Sequence, residues 1–348
     1  MLDYFGQAIG EVWGPARLFS SFFFLAACGA TASVAATMYF LPKLWGILPR
    51  DRGRAFAVDA DKSVGKPVSA GILMIGIFVA MALLFVPFTP QFLWMLPVIV
   101  FSSIVGFVDD RSTGLSELAL GSADLIASLA AALILFGLEP MVVWLPFISG
   151  SWMLPAWIGI PMVTTVIWVA INAMNCNDGV DGLSGGLASI CFAFIGILLY
   201  TVVGNVEISR YLLIPHNPEG ATWALAAALM IGCIFGYLWY NVPPSSVLMG
   251  DSGSRPIGLM LGVLVSVGLN PFLLVVCGFI ILANGATGLV KLALLRVFKV
   301  GIFRDISFPL HDHCRKVLGW TGSQVLLRFL LIHIAVSALM IALLLKVR

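Results

Sequence analysis

Apolar runs of about twenty residues recur from one end of this chain to the other, and that recurrence restricts the fold more than any single motif. A run of that length crosses a hydrocarbon core of about 30 Å as a helix, and only helices or closed barrels satisfy the backbone there. The runs are not the alternating segments of about ten residues that barrels use. Composition agrees: 60% of the 348 residues are hydrophobic, 10% are charged and mean hydropathy is +1.05. The expectation is an all-α polytopic membrane protein, a single integral-membrane domain over 1–348 without repeat, low-complexity tract or linker.

About ten spans are predicted, near 18–41, 68–88, 92–108, 118–138, 156–174, 183–203, 221–240, 256–269, 271–293 and 322–345. One hydrophobic block is cut in two at Asn270-Pro271. Segment 139–155, opening on Glu139-Pro140 and carrying two tryptophans, reads as an interfacial hairpin and not a crossing.

The cations are distributed unevenly. Lys43, Arg50, Arg52, Arg54, Lys62 and Lys66 crowd the first long loop, and Lys291, Arg296, Lys299, Arg304, Arg315 and Lys316 crowd the last. The positive-inside rule makes both loops cytoplasmic. Counting crossings then puts Asp109, Asn175 to Asp181, Asn241 to Asp251 and His311 to His313 on that same face, although none of these motifs entered the charge argument. A net charge of +2 leaves no nucleic-acid footprint. Of the six cysteines, Cys28, Cys191, Cys233 and Cys277 fall in spans and Cys176 and Cys314 in cytoplasmic loops, so they read as packing residues and not as disulfides. The N-terminus lacks the basic start and small-residue cleavage site of a signal peptide, and the first span is expected to direct insertion.

Four polar islands interrupt this apolar chain. Gly106-Phe107-Val108-Asp109-Asp110 closes the third span with two adjacent carboxylates, which repel each other unless a cation or a catalytic task compensates; a solvated pair at a helix end is the plain alternative. Asn172 through Leu183 packs Asp178, Asp181, Asn172, Asn175, Asn177, Gly179 and Gly182 into a dozen residues, a density beyond what a capped turn needs and suited to a ribose, a nucleobase or a hydrated metal. Asn241 precedes Pro243-Pro244 and the loop Met249-Gly250-Asp251-Ser252-Gly253-Ser254. A carboxylate flanked by small residues at a helix N-terminus suits magnesium, with an N-cap role for Asp251 or Ser252 as the competitor. Pro309-Leu310-His311-Asp312-His313-Cys314-Arg315-Lys316 mixes imidazoles with both charges. It lacks the further ligand spacing of a closed zinc site and better suits a diphosphate, held by the histidines and Arg315. Magnesium, carboxylates and cations in one place suit phosphoryl transfer between a soluble nucleotide-activated group and a lipid phosphate.

At these islands the chain resembles the polyprenyl-phosphate N-acetylhexosamine-1-phosphate transferase superfamily, and within it the phospho-N-acetylmuramoyl-pentapeptide transferases of peptidoglycan synthesis. Matching stretches are Gly65 to Gly71, Gly106 to Asp110, Asn172 to Leu183, Phe235 through Asn241, Met249 to Ser254 and Pro309 through His313, with Gly319-Trp320, Arg328-Phe329 and Leu345 to Arg348 in the tail. The resemblance implies a ten-span, multi-pass protein of the bacterial inner membrane with a cytoplasmic active site. It also implies a homodimer and transfer of phospho-MurNAc-pentapeptide from its UDP carrier to undecaprenyl phosphate, giving lipid I and UMP. Carried onto this chain, Asp251 is the principal magnesium ligand with Asp178 beside it. Asp109 and Asp110 lie at the reacting phosphates, one of them a candidate base toward the lipid phosphate. Asn175, Asp178, Gly179, Asp181 and Asn241 line the uridine and metal region, His311, with His313 and Arg315, the diphosphate, and Lys62 reaches the nucleotide. Direct attack by the lipid phosphate and a covalent phospho-Asp intermediate both remain open, direct attack being favoured because that phosphate is already an oxyanion.

The chain departs from the family pattern at Asp312, which stands between two histidines where a third is usual, at Arg315, where an acid is common, and across Lys66 to Gly71. A UDP-GlcNAc or other UDP-HexNAc donor is therefore the competing reading. A transporter or a non-catalytic paralogue is a more distant one, because a transporter places its ionisable residues at mid-bilayer. Here the candidates inside spans are few, and Asp124, Asn284 and His333 are expected to be satisfied there by neighbouring helices. Glu117 either supports the Asp pair or is a helix-start carboxylate.

Overall fold

Three of the long apolar helices are started by a short polar side chain. Ser21, Thr89 and Ser116 each accept a hydrogen bond from the backbone N–H three residues on, opening helices at Phe22, Pro90 and Glu117. The computed structural model describes residues 1–53, 63–112, 114–146, 148 and 150–346, so Arg54 and Lys62 lie outside the described residues. In order along the chain the helices are α1 (Leu2–Ile9), α2 (Phe22–Leu44), α3 (Ala70–Phe85), α4 (Pro90–Arg111) and α5 (Glu117–Phe136). An antiparallel hairpin of β1 (Met141–Trp144) and β2 (Ser151–Leu154) follows, pairing Met141 with Leu154 and Trp144 with Ser151. Then come α6 (Ala156–Asn175), α7 (Leu183–Leu198), α8 (Val206–Tyr211), α9 (Gly220–Asn241), α10 (Asp251–Val267), α11 (Leu273–Cys277), α12 (Phe279–Ile281), α13 (Thr287–Phe298), α14 (Leu310–Lys316) and α15 (Gly322–Lys346).

The chain is an all-α polytopic membrane protein, with one small hairpin among the described residues. Among the described residues, eight helical stretches are long and apolar enough to cross a membrane. The expected spans at 68–88 and 256–269 coincide with α3 and α10, helices of 16 and 17 residues that fall short of that length. The block cut at Asn270-Pro271 does break there, and segment 139–155 is the hairpin, with Trp152 and Met153 exposed on it. Two π-helical turns interrupt the bundle, Leu199–Val203 after α7 and Leu282–Ala286 between α12 and α13.

Helix α10 is the axis: every residue from Asp251 to Val267 is buried, packed chiefly on α4 and α6 and also touching α3, α5 and α7. Lipid supplies no hydrophobic drive between helices, so close approach of backbones matters more. At Gly258 and Gly262 a Cβ would meet the Cα atoms of Ile171 and Ile167 on α6 at 2.6 Å. The apolar C-terminal part of α10 thus anchors it in the bundle, while its N-terminal turn carries a buried polar sequence, Asp251-Ser252-Gly253-Ser254-Arg255. That turn needs polar partners, and it draws them from the helices around it.

Candidate active site

The loop before α10 turns through Gly250, whose φ of +69° is the left-handed region glycine favours. A Cβ there would strike the Asp110 carboxylate. Asp110 reaches across from the last turn of α4 and does the capping that a local side chain usually does. Its Oδ1 accepts from the Asp251 N–H at 3.0 Å, and its Oδ2 from the Ser252 N–H at 3.2 Å and from Ser69 Oγ at 2.7 Å. Asp251 stands at the helix N-terminus that its small neighbours suggest, inside α10 and not in the loop ahead of it, and neither it nor Ser252 is the N-cap, which is Gly250. Gly106, one turn earlier on α4, lets this approach happen, since a Cβ there would collide with the Asp251 backbone.

Adjacent helical residues point about 100° apart, so the Asp pair divides. Asp109 Oδ1 accepts from the Leu115 N–H at 2.6 Å, on the loop that leaves α4. Asp251 turns its Oδ2 into the bundle, where Arg255 Nε and Nη2 each donate at 2.9 Å and Asn175 Nδ2 at 3.3 Å. The same guanidinium gives Nη1 to Asp124 Oδ2 on α5 at 2.6 Å. Asn175 is oriented by Ser254 Oγ, which donates to its Oδ1 at 2.8 Å.

The second island wraps the outer side of this turn. Asp178 Oδ1 accepts from Ser184 Oγ at 2.8 Å, and that hydroxyl also lies 4.0 Å from Met249 Sδ, two residues before Asp251. Asp181 Oδ2 accepts from the Ser245 N–H at 3.1 Å, and Lys66 Nζ donates to Ser245 Oγ at 3.0 Å. Asn241, buried, accepts from the Gly182 N–H and donates to the Val247 carbonyl, both at 2.8 Å, and so braces the two loops together.

His311 closes the site from α14. Its ring packs on Gly179, where a Cβ would strike Nε2. Asn284, inside the π-helical turn Leu282–Ala286, accepts from the His311 N–H at 2.7 Å. Its amide nitrogen therefore faces His311 Nδ1, 3.0 Å away, and donates to it, which leaves the ring proton on Nε2. Burial pushes the His311 imidazole down to about 4, so the ring is neutral at physiological pH. Asn284 also donates to Asn177 Oδ1 at 2.6 Å, and Asn177 donates to the Ala173 and Ile281 carbonyls. Asp312 lies 3.6 Å from both His311 Nε2 and Lys316 Nζ, while His313 Nδ1 accepts from the Ser307 N–H at 3.3 Å and Arg315 is half-buried on α14.

All four islands thus meet at one end of the bundle. Lys62 falls outside the described residues. The residues that sequence reasoning missed are the partners: Ser69, Ser184 and Arg255. Asp124 and Asn284 were expected to be satisfied by neighbouring helices, and they are, but by residues of the site. Arg255 carried a legible signal, standing four residues after Asp251 in an otherwise apolar run. His333 lies against Cys191 Sγ at 3.2 Å, and Glu117 pairs at the surface with Arg296 and not with the Asp pair.

Among the described residues no three His, Cys, Asp or Glu side chains are grouped as a metal site. Magnesium asks for less, one or two carboxylates completed by water and phosphate oxygens. Around the α10 N-terminus the Arg255 guanidinium pairs with Asp124 and Asp251, and the third carboxylate, Asp110, is held by Ser69 and two backbone N–H groups. Hard oxygen donors with an excess of negative charge fit that ion.

Comparison with known proteins agrees with the geometry. The model of glycosyl transferase family 4 matches residues 92–269, from α4 through α10. The chain is 39% identical over 342 residues to the phospho-N-acetylmuramoyl-pentapeptide-transferase of Treponema pallidum (strain Nichols), covering 97% of this chain and 94% of that protein. It is 27% identical over 315 residues to the protein of the same name from Bartonella quintana (strain Toulouse), covering 86% of each.

Proposed function

The chain belongs to glycosyl transferase family 4 and, within it, to the phospho-N-acetylmuramoyl-pentapeptide transferases, and on that premise we propose that it carries out the transfer those relatives are named for. Phospho-MurNAc-pentapeptide moves from UDP-MurNAc-pentapeptide to undecaprenyl phosphate, giving lipid I and UMP for peptidoglycan synthesis. The observation that carries the reading is the meeting of Asp110, Asp251 and Asn175 at the first turn of α10, with Asp178 on the loop after α6 and His311 on α14 around it.

An oxygen of the lipid phosphate attacks the donor phosphorus that bears the sugar. The bond from that phosphorus to the bridging oxygen breaks, and UMP leaves with the bond's electrons. Asp110 has both oxygens engaged by N–H and O–H donors, which makes it a poor nucleophile and supports direct attack over a phospho-aspartate. Asp109, at the edge of the site, is the better candidate to keep the lipid phosphate ionised. His311 presents its Nε2–H beside Gly179, where it can donate to a donor phosphate oxygen. Asp251 would hold magnesium with Asp178 as its neighbour; when bound, the ion supplies positive charge against the diphosphate. Asn175 and Asp181 line the nucleotide side, with Asn241 bracing the loops there and Arg315 and His313 on the diphosphate side. Lysine and arginine in the loop after α2 and along the segment from α13 through α14 support a cytoplasmic site in the bacterial inner membrane.

The test is incubation of the purified protein with magnesium, undecaprenyl phosphate and each UDP-sugar in turn, measuring UMP. Release with UDP-MurNAc-pentapeptide and not with UDP-GlcNAc is expected. The reverse pattern would move the chain to another donor.

A further inference from the structure

Arg255 is 4% exposed and Asp124 2% exposed, and they are joined at 2.6 Å in the interior of a membrane bundle. Apolar residues of similar volume hold helices at least as well as a buried ion pair does, and intramembrane charges are costly, so fold stability alone is a weak reason for this one. The geometry indicates what the pair does instead. Arg255 stands one turn after Asp251 on α10, and its two remaining donors, Nε and Nη2, both go to the single oxygen Oδ2 of Asp251. Asp124, from α5, holds the far side of the guanidinium and keeps its plane from swinging. Asn175, fixed by Ser254, adds a third donor to the same oxygen.

We propose that Asp124 and Arg255 are a positioning pair that fixes the orientation of the Asp251 carboxylate and moderates its hold on a divalent cation. The proposal rests on the transferase reading for its effect on turnover and on Asp251 alone for its effect on metal binding. Donors that hold one oxygen of a carboxylate fix the direction of its other oxygen as well. A resident positive charge beside a carboxylate also competes with an incoming cation for it. The pair therefore trades metal affinity for a fixed ligand direction. Neither residue touches a reacting group; both act through Asp251.

The experiment compares wild type with Asp124→Leu/Arg255→Leu, which removes both charges together, and with Arg255→Lys, which keeps the charge and loses the fork. Binding of Mn²⁺ to the purified proteins is followed by electron paramagnetic resonance, turnover by UMP release, and folding by thermal unfolding in detergent. The double variant is expected to bind Mn²⁺ roughly fivefold or more tightly while kcat falls about tenfold or more, the scale on which loss of a ligand's supporting partner is felt. Arg255→Lys is expected to keep Mn²⁺ affinity within about twofold while losing a similar share of kcat. Opposed shifts of affinity and turnover are what a merely structural pair would not produce. Unchanged Mn²⁺ affinity in a folded double variant, or kcat within about twofold of wild type in Arg255→Lys, would overturn the proposal. Should the double variant fail to fold, Arg255→Lys decides alone. If wild type released no UMP, the transferase reading would fall, while the Mn²⁺ comparison would still judge the pair.

Discussion

Asp110 and Asp251 meet through the backbone of one and the side chain of the other: the Asp110 carboxylate accepts the Asp251 N–H at 3.0 Å and the next N–H, of Ser252, at 3.2 Å. One acid thereby starts the helix that presents the second. The arrangement joins stability and chemistry at a single position, because whatever disturbs the cap also moves the Asp251 side chain.

Asp110→Asn therefore affects both. Its amide group would turn a donor toward one of the donors now bound there, Ser252 N–H or Ser69 Oγ, or toward Asp251 N–H. Losing a helix cap costs about 1 kcal/mol. A lower thermal midpoint together with at least about a hundredfold loss of turnover is expected. A variant that melts normally and turns over normally would remove Asp110 from both roles.

Asp251→Ala is expected to insert and fold. Arg255 keeps Asp124 as its partner, so no charge is left unpaired in the bundle. UMP release should fall by roughly three orders of magnitude. Wild-type rates in this variant would exclude Asp251 as the metal-holding residue.

Gly179→Ala pushes a methyl group at His311 Nε2. The ring is pinned behind by Asn284 and cannot retreat without breaking that contact. Turnover is expected to fall about tenfold or more, with a smaller loss for Gly196→Ala in α7, whose Cβ would meet the Ala227 Cβ at an ordinary 3.5 Å. Equal effects at the two positions would count against a role for the ring.

The buried neutral state of His311 has a pH signature. In the unfolded chain the imidazole takes a proton below about 6.5, whereas in the folded protein it resists until about 4. Between those limits the unfolded state binds the extra proton, so the stability this group contributes is fully present above about 6.5 and is lost as pH falls toward 4. His311→Gln is expected to flatten the dependence of the thermal midpoint on pH in that window. Identical slopes for variant and wild type would show that the ring is not held neutral.

Much of this was legible in the sequence because membrane spans announce themselves by length and apolarity, and because carboxylates at the ends of such spans need partners. The four islands, the break at Asn270-Pro271 and the hairpin at 139–155 could all be read that way. Helix limits at polar turns could not. Asp251 to Ser254 reads as part of a loop, and it forms the first turn of α10, capped by Asp110 some 140 residues earlier. The partners were hidden for the same reason: Asp124 and Asn284 look like isolated polar residues in apolar runs until folding brings them to Arg255 and His311. Arg255 was the readable exception, an arginine at the right spacing from an acid already singled out.

The most direct test is an anomalous-scattering map of crystals soaked in Mn²⁺ with a UDP-sugar donor. One peak bonded at about 2.1 Å to a carboxylate oxygen of Asp251 and to phosphate oxygens of the donor is predicted. Mn²⁺ bound away from the first turn of α10, with the donor diphosphate held by other residues, would contradict it.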